Sequence, residues 1–442
     1  MKSPVANEIA LVLIAARLTR RPVKWVSTRT EAFLSDPQAR DHVTEAELAL
    51  DKNGTFLALR VKNTAAIGAY MQKGMPVYIL NAGSLAGCYR TPAIYVDATG
   101  VFTNTNPVRP YRGNGRPEFA YVIERMVDIA ADEMGIDPAE LRRRNYIPPS
   151  AMPFKTGLTF TYDCGEFEKN MDMALELADA KGVKARKAEA KKRGKLRGFG
   201  FSNTLERAGA ASLEGAEVRF DRSGAVHLFS GAIAAGQGHE TVYKQIVCDR
   251  LGLDPDNIRF MQGDSDQVFF SEGTNGSRSL TMVGSALTQA MDKILAKARD
   301  IAAHQMQVAA EDVKFADGVF SAPGTNRTLS IQEIANDAFD PSKLPQGMEA
   351  GLSATAIYRS TVSNFPNGCH VCELEIDRET GKVDIVRYSV VDDVGTVVNP
   401  MLLHGQIHGG VAQGVGQILM EDIHFDAGGQ LVTASFMDYA MP

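Results

Sequence analysis

The 442-residue chain is long enough for two large domains or about three of ordinary size, and its 44% hydrophobic and 23% charged residues are those of a folded globular protein. With 47 basic against 53 acidic residues the net charge is −6, so no global basic field is available for nucleic acid or an anionic membrane. Five scattered cysteines, Cys88, Cys164, Cys248, Cys369 and Cys372, argue against a disulfide framework. No apolar run approaches the ~20 residues of a spanning helix, and no secretory cleavage pattern follows the N-terminus. The expectation is a cytoplasmic chain with reduced thiols.

In chain order, the apolar residues of Ala6 to Thr19 are dense enough for a buried helix ending at Arg20-Arg21-Pro22. Alternating stretches at Thr44–Leu50 and Phe56–Asn63 flank Asp51-Lys52-Asn53-Gly54 and predict a hairpin. After Gly115, Pro117 suits a first helical turn, and Phe119, Val122, Ile123, Met126, Val127, Ala130 and Met134 form one apolar face up to Gly135. A short helix follows Asp137-Pro138 and ends near Arg144. The charged run Lys181 to Arg193 reads as a solvated helix and linker, and a domain boundary is expected near Leu196.

Beyond it the order is mixed. Strands are expected near 216–220, 225–230 and 258–262, helices at 239–251 and from Ser279 to about Ala303, later strands at 371–376 and 383–391, and a glycine-punctuated helix at 407–420. This succession is α+β and lacks the regular βαβ order of a doubly wound sheet.

Three glycine-rich loops each open onto a helix. Tyr111-Arg112-Gly113-Asn114-Gly115-Arg116 combines guanidinium groups with glycines that let backbone approach a ligand, and a helix N-terminus supplies unpaired N–H groups. Taken alone, a tight turn with surface arginines is the commoner reading. Gly236-Gln237-Gly238-His239-Glu240-Thr241 places an amide that both donates and accepts at the tip of a turn. It departs from the dinucleotide fingerprint at its last position and starts no βαβ unit. Gly273-Thr274-Asn275-Gly276-Ser277-Arg278-Ser279 lacks the Gly-Lys-Ser/Thr of a P-loop. Together the loops suit a large polyanionic cofactor gripped by backbone and short polar groups. His404 and His408 are one helical turn apart but have no third ligand, and Cys369-x-x-Cys372 has no second pair, so neither points to a metal centre.

In order, these segments resemble the large, molybdenum-binding subunit of the xanthine dehydrogenase and aldehyde oxidase family, especially the branch similar to aerobic carbon monoxide dehydrogenase. Met1-Lys2-Ser3-Pro4 resembles the residues after that family's Gly-Gly-Phe-Gly loop, and Tyr111 to Glu118 its Tyr-Arg-Gly-Ala-Gly-Arg-Pro-Glu loop. Gly236–Thr241 and Gly273–Ser279 resemble its cofactor loops, and Asn399-Pro400 with Gly405-Gln406-Ile407-His408-Gly409-Gly410 completes the set.

The resemblance implies two mixed α/β molybdenum-cofactor-binding domains, 1–195 and 196–442, packed around a cofactor cleft. It implies molybdenum held through the dithiolene of a molybdopterin, in the cytosine dinucleotide form, with no protein ligand to the metal. The activity implied is hydroxylation of an aldehyde or N-heteroaromatic compound with water-derived oxygen. [2Fe-2S] clusters and FAD would sit on a small and a medium partner subunit, in a dimer of heterotrimers.

Carried over residue by residue, Arg112 and the Gly113 amide neighbour the metal's oxo or pterin groups, and Asn114 faces substrate. Gln237, with Gly236 and Gly238, and Gln406 reach the oxo ligand or the pterin, and Thr274, Ser277, Arg278 and Ser279 the pyrophosphate or nucleotide end. Gly113 stands where carbon monoxide dehydrogenases carry a copper-binding cysteine, and Ser3 where purine enzymes carry Glu, which disfavours both activities. The family's general-base glutamate is expected beyond Pro442, so the 442-residue chain alone is expected to be nearly inactive. An inactive, partner-binding remnant and a carbon monoxide dehydrogenase-like enzyme are the alternatives.

Overall fold

The computed structural model describes residues 6–71, 81–209 and 212–442. The Met1–Pro4 segment, with Ser3, lies outside them. The chain divides into two compact units that are discontinuous in sequence: 1–206, 365–395 and 408–442 form the first, 207–364 and 396–407 the second. The division expected at 195/196 falls at the start of the strand Lys195–Leu205, whose partner strand Asn367–Asp377 belongs to the first unit.

The first unit contains the expected hairpin, His42–Leu50 antiparallel to Phe56–Gly68, extended by Ala93–Phe102 running parallel to the second strand. A second sheet has the order Val383–Asp393, Asn367–Asp377, Lys195–Leu205. The central strand alternates buried and half-buried residues along most of its length, as a strand packed on one face must. The helix Arg116–Met134 forms as its pattern predicts. Pro117 occupies its first turn, and Gly135 at φ 67° closes it by donating to Ala131 and Asp132 carbonyls. Its buried face, Phe119, Ile123, Val127, Ala130 and Ala131, joins Leu59, Val61, Tyr146, Phe167 and Met171 in the core of this unit. Each fully buried large side chain there contributes about 1.5–3 kcal/mol of transfer free energy.

One expectation fails here. The helix Ala6–Thr19 has the expected limits, but it is not buried: Leu11 and Leu18 are 66% and 79% exposed, and Ile9, Leu13 and Ile14 are exposed too. Its apolar residues point all round the axis, so no single contact face covers them.

The second unit is built on a four-stranded sheet of order Ser353–Ser360, Ser212–Phe220, Val226–Ser230, Ile258–Gln262. The long helix Ser279–Met306 lies on this sheet and buries Val283, Ala286, Leu287, Ala290, Met291 and Ile294. Its small residues let the helix backbone approach the sheet closely. The helix His239–Leu251 packs against it. The expected helix at 407–420 is Pro400–Leu419 and starts a full two turns earlier, because Asn399 caps it: its Oδ1 accepts the Leu402 N–H at 3.0 Å, and proline is tolerated at the first helical position.

Candidate functional site

In the first unit, residues 111–116 form a turn whose carbonyls are held from behind. Arg40 Nη2 donates to the Arg112 carbonyl, Arg116 Nε to that of Gly113 at 2.9 Å, and Asn81 Nδ2 to that of Asn114 at 2.7 Å. Gly113, Asn114 and Gly115 all have positive φ (91°, 47° and 88°). In this turn the Asn114 N–H donates to the Tyr111 carbonyl and the Arg116 N–H to that of Gly113. Among the described residues the Gly113 and Gly115 N–H groups are left without a partner. Two unpartnered N–H groups at the head of a helix suit an anionic or oxo ligand.

The braces are themselves fixed. Arg40 is largely buried, pairs with Glu118 at 3.2 Å and lies 4.8 Å over the Tyr111 ring; burial, opposed by Glu118, lowers its pKa below the ordinary arginine value. Arg116 also pairs with Glu206 at 2.8 Å. Arg112 itself is exposed, with Nη1 donating to Gln413 Oε1 at 3.0 Å, and Gln413 Nε2 donates to the Tyr111 hydroxyl. Asn114 has a buried Oδ1 with no hydrogen-bond partner.

In the second unit the two remaining loops lie against each other. Thr274 Oγ1 donates to the Ile233 carbonyl at 2.9 Å, Ser279 Oγ to Thr274 Oγ1 at 3.2 Å, and the buried Tyr243 hydroxyl to the Ser279 carbonyl at 3.2 Å. Gln237 folds back to accept the Ala235 N–H at 2.5 Å. His239 is buried and bonds through Nδ1 to the Ala232 carbonyl at 3.3 Å; burial lowers its pKa, so the ring is neutral and donates there. A Cβ at Gly236, Gly273 or Gly276 would meet nothing within 4 Å, so backbone faces open space at three points of these loops. The third element, around Gln406, joins them through Leu402, whose Cδ2 would be 2.8 Å from a Cβ at Gly238. Gln245 Nε2 also bonds the Val398 carbonyl at 2.6 Å. Gln406 is one turn beyond Leu402 on the same helical face, with its amide exposed.

Arg278 departs from its expected direct contact with phosphate. Its side chain is 3% exposed and turned inward, with Nη1 bonded to Glu214 Oε2 at 2.6 Å and the Gly273 carbonyl at 2.7 Å, and Nη2 to the Leu213 carbonyl at 2.5 Å. It holds the loop's shape. Ser277, at φ 56°, sits on the crest of the turn.

Sequence reasoning missed Arg40, Asn81, Glu214, Tyr243 and Gln413, because each acts through a partner distant in sequence. Only Glu214, a carboxylate between Leu213 and Gly215 in a strand, carried a local signal. Among the described residues no group of three His, Cys, Asp or Glu side chains is placed to hold a metal ion. Taken unit by unit, the donors are N–H, hydroxyl and amide groups beside open backbone, joined in the first unit by the Arg112 guanidinium, and their chemistry fits oxo, pterin or phosphate atoms.

Residues 1–146 and 173–442 each match the family described as molybdopterin cofactor-binding domain. The chain belongs to the molybdopterin-binding large-subunit family of xanthine dehydrogenase and aldehyde oxidase. It is 34% identical over its whole length to the 6-hydroxypseudooxynicotine dehydrogenase complex subunit gamma of Paenarthrobacter nicotinovorans, covering 56% of that protein. It is 34% identical over 97% of its length to the carbon monoxide dehydrogenase large chain of Hydrogenophaga pseudoflava, again covering 56%. The fold matches quinoline 2-oxidoreductase from Pseudomonas putida 86 with a TM-score of 0.92 and 32% identity, over 98% of this chain and 57% of that one. The chain thus spans little more than half the length of these molybdopterin-family relatives. No helix among the described residues is long and apolar enough to cross a membrane.

Proposed function

We propose that this chain is the cofactor-binding part of a molybdenum hydroxylase that oxidises an N-heteroaromatic or aldehyde substrate with water-derived oxygen. The observation that carries this reading is the braced turn 112–115, whose unpartnered N–H groups lie beside a buried, unpartnered Asn114 Oδ1. When bound, the molybdopterin group supplies the two-electron acceptor and the place where water-derived oxygen enters. The chain's own residues bind and orient. Gly113 and Gly115 N–H groups, with Arg112, donate to oxo or pterin atoms, and because they are held before reaction they stabilise developing negative charge without reorganising. Gln237 and Gln406 donate and accept at the pterin. Thr274, Ser277 and Ser279 hydroxyls hold the phosphate and cytosine nucleotide end, and Arg278 keeps that loop in shape. Asn114 faces the substrate.

The named relatives that act on quinoline and nicotine-derived compounds support the heteroaromatic class. Carbon monoxide oxidation through a thiol at position 113 is disfavoured by geometry, since a Cβ there would lie 2.3 Å from Pro117 Cγ at a φ of 91°. Electrons would leave through [2Fe-2S] clusters and FAD on a small and a medium partner subunit, in a cytoplasmic dimer of heterotrimers.

The test is to isolate the protein with its co-purifying subunits from a cofactor-producing host, then quantify molybdenum, fluorescent pterin and released CMP. Stoichiometric amounts of all three are expected. A folded chain devoid of molybdenum and pterin would sink the proposal in favour of a partner-binding remnant.

A further inference from the structure

In the second unit the strands Val226–Ser230 and Ile258–Gln262 run parallel with Val226 opposite Ile258, so the segments that precede them lie side by side. With the helix Ile331–Asp337 they bound a surface cavity of about 370 Å³, lined by the polar side chains of Ser223, Asp256, Asn257, Arg259, Gln332 and Asn336. None of these residues belongs to the glycine-rich loops or to the helix Pro400–Leu419. The backbone is fixed at each wall. Asp221 Oδ1 accepts the Ser223 and Ala225 N–H groups at 2.7 and 3.2 Å, and Gly224, at φ 82°, completes that turn. Asp254 Oδ1 accepts the Asp256 N–H at 2.9 Å, and Ser330 and Glu333 form a capping box on the helix. Gln332 and Asn336 are one helical turn apart, so both carboxamides share the face that lines the cavity. Asn336 Oδ1 would lie 3.8 Å from a Cβ at Gly224, which places this amide across from the turn.

Asp256 and Arg259 bring one charge of each sign to this cavity, yet among the described residues neither forms an ion pair, with the other or with any third group. The side chains of Asn257, Gln332 and Asn336 likewise have no hydrogen-bond partner among the described residues. We infer that the cavity binds a free α-amino acid with a polar side chain. Arg259 takes the α-carboxylate, Asp256 the α-ammonium group, and the carboxamides the side chain. Unpaired charges of both signs match a zwitterion, whereas a ligand of one charge would set one of them against its own sign. Carboxamides both donate and accept, which suits an amide or hydroxyl side chain. No large apolar side chain lines the cavity, so affinity comes from these polar contacts and is modest. The inference is independent of the hydroxylase reading, since it uses none of the residues assigned to the cofactor.

The test is a ligand-observed NMR titration of the protein with its co-purifying subunits. Three probes are compared: L-glutamine, L-glutaminamide, which lacks the carboxylate, and N-acetyl-L-glutamine, which lacks the ammonium group. L-Glutamine is expected to bind with a Kd of about 1 mM or tighter, and each truncated probe at least about tenfold more weakly. Arg259→Gln should bring L-glutamine to within about twofold of L-glutaminamide, and Asp256→Asn to within about twofold of N-acetyl-L-glutamine. Both side chains are exposed, so neither substitution should change the melting temperature, and loss of all binding at an unchanged melting temperature supports the inference equally. No binding of L-glutamine below about 10 mM, equal binding of the three probes, or preferences that survive both substitutions overturns it. Molybdenum content of the same preparations judges the hydroxylase reading separately, because binding at this cavity does not depend on turnover.

Discussion

Arg278 and Glu214 meet 2.6 Å apart with side chains 3% and 0% exposed, so the loop 273–279 is pinned from inside by a buried ion pair. The same guanidinium bonds the Gly273 and Leu213 carbonyls, tying the loop to the edge of the strand Ser212–Phe220. Removing one partner leaves the other charge buried and uncompensated, which costs about 3–5 kcal/mol. Arg278→Ala should therefore lower stability by that amount in urea denaturation and reduce pterin content along with it. Unchanged stability with lost pterin would instead indicate direct contact between Arg278 and the ligand.

Gly113→Cys should cost roughly 1–3 kcal/mol, because a side chain is forced into positive φ against Pro117. It should not confer carbon monoxide-dependent dye reduction, with or without added copper. Thermal denaturation and the dye assay check both halves, and a stable, carbon monoxide-active variant would contradict the geometry.

Asn399→Ala should remove the cap of the helix Pro400–Leu419 and its Nδ2 bond to Gln245 Oε1. The expected loss is about 1–2 kcal/mol, read as a lower denaturation midpoint. Asn399→Asp, which keeps the capping oxygen, should recover most of it.

Glu373 gives a pH prediction. Burial pushes its carboxyl pKa up, but hydrogen bonds from Arg186 at 2.9 Å and Arg197 at 2.7 Å outweigh this and hold it below the usual glutamate value. A carboxylate depressed in the folded state contributes stability above its unfolded pKa of about 4.3 and loses it as pH falls through the folded value. Denaturation midpoints measured downward from about pH 5 should drop more steeply for the wild type than for Glu373→Gln. Parallel curves would refute this.

The sequence by itself determined the local elements and the chemistry within reach of each. The face Phe119, Ile123, Val127 specified a helix, Gly135 ended it, and alternation drew the hairpin, because these signals repeat every few residues. The glycine loops and their helices were legible for the same reason, and the family resemblance followed from their order. Tertiary structure alone decided which way a polar group faces. Arg278 turned inward because Glu214 lies 64 residues earlier, and Asn81 reached the turn because it packs beside Asn114, 33 residues away. It also decided that the helix Ala6–Thr19 is exposed and that the strand Lys195–Leu205 joins Asn367–Asp377. Periodicity records which face of an element is apolar, but a buried polar group is oriented by the one partner that satisfies it, and that partner is set by how distant segments pack.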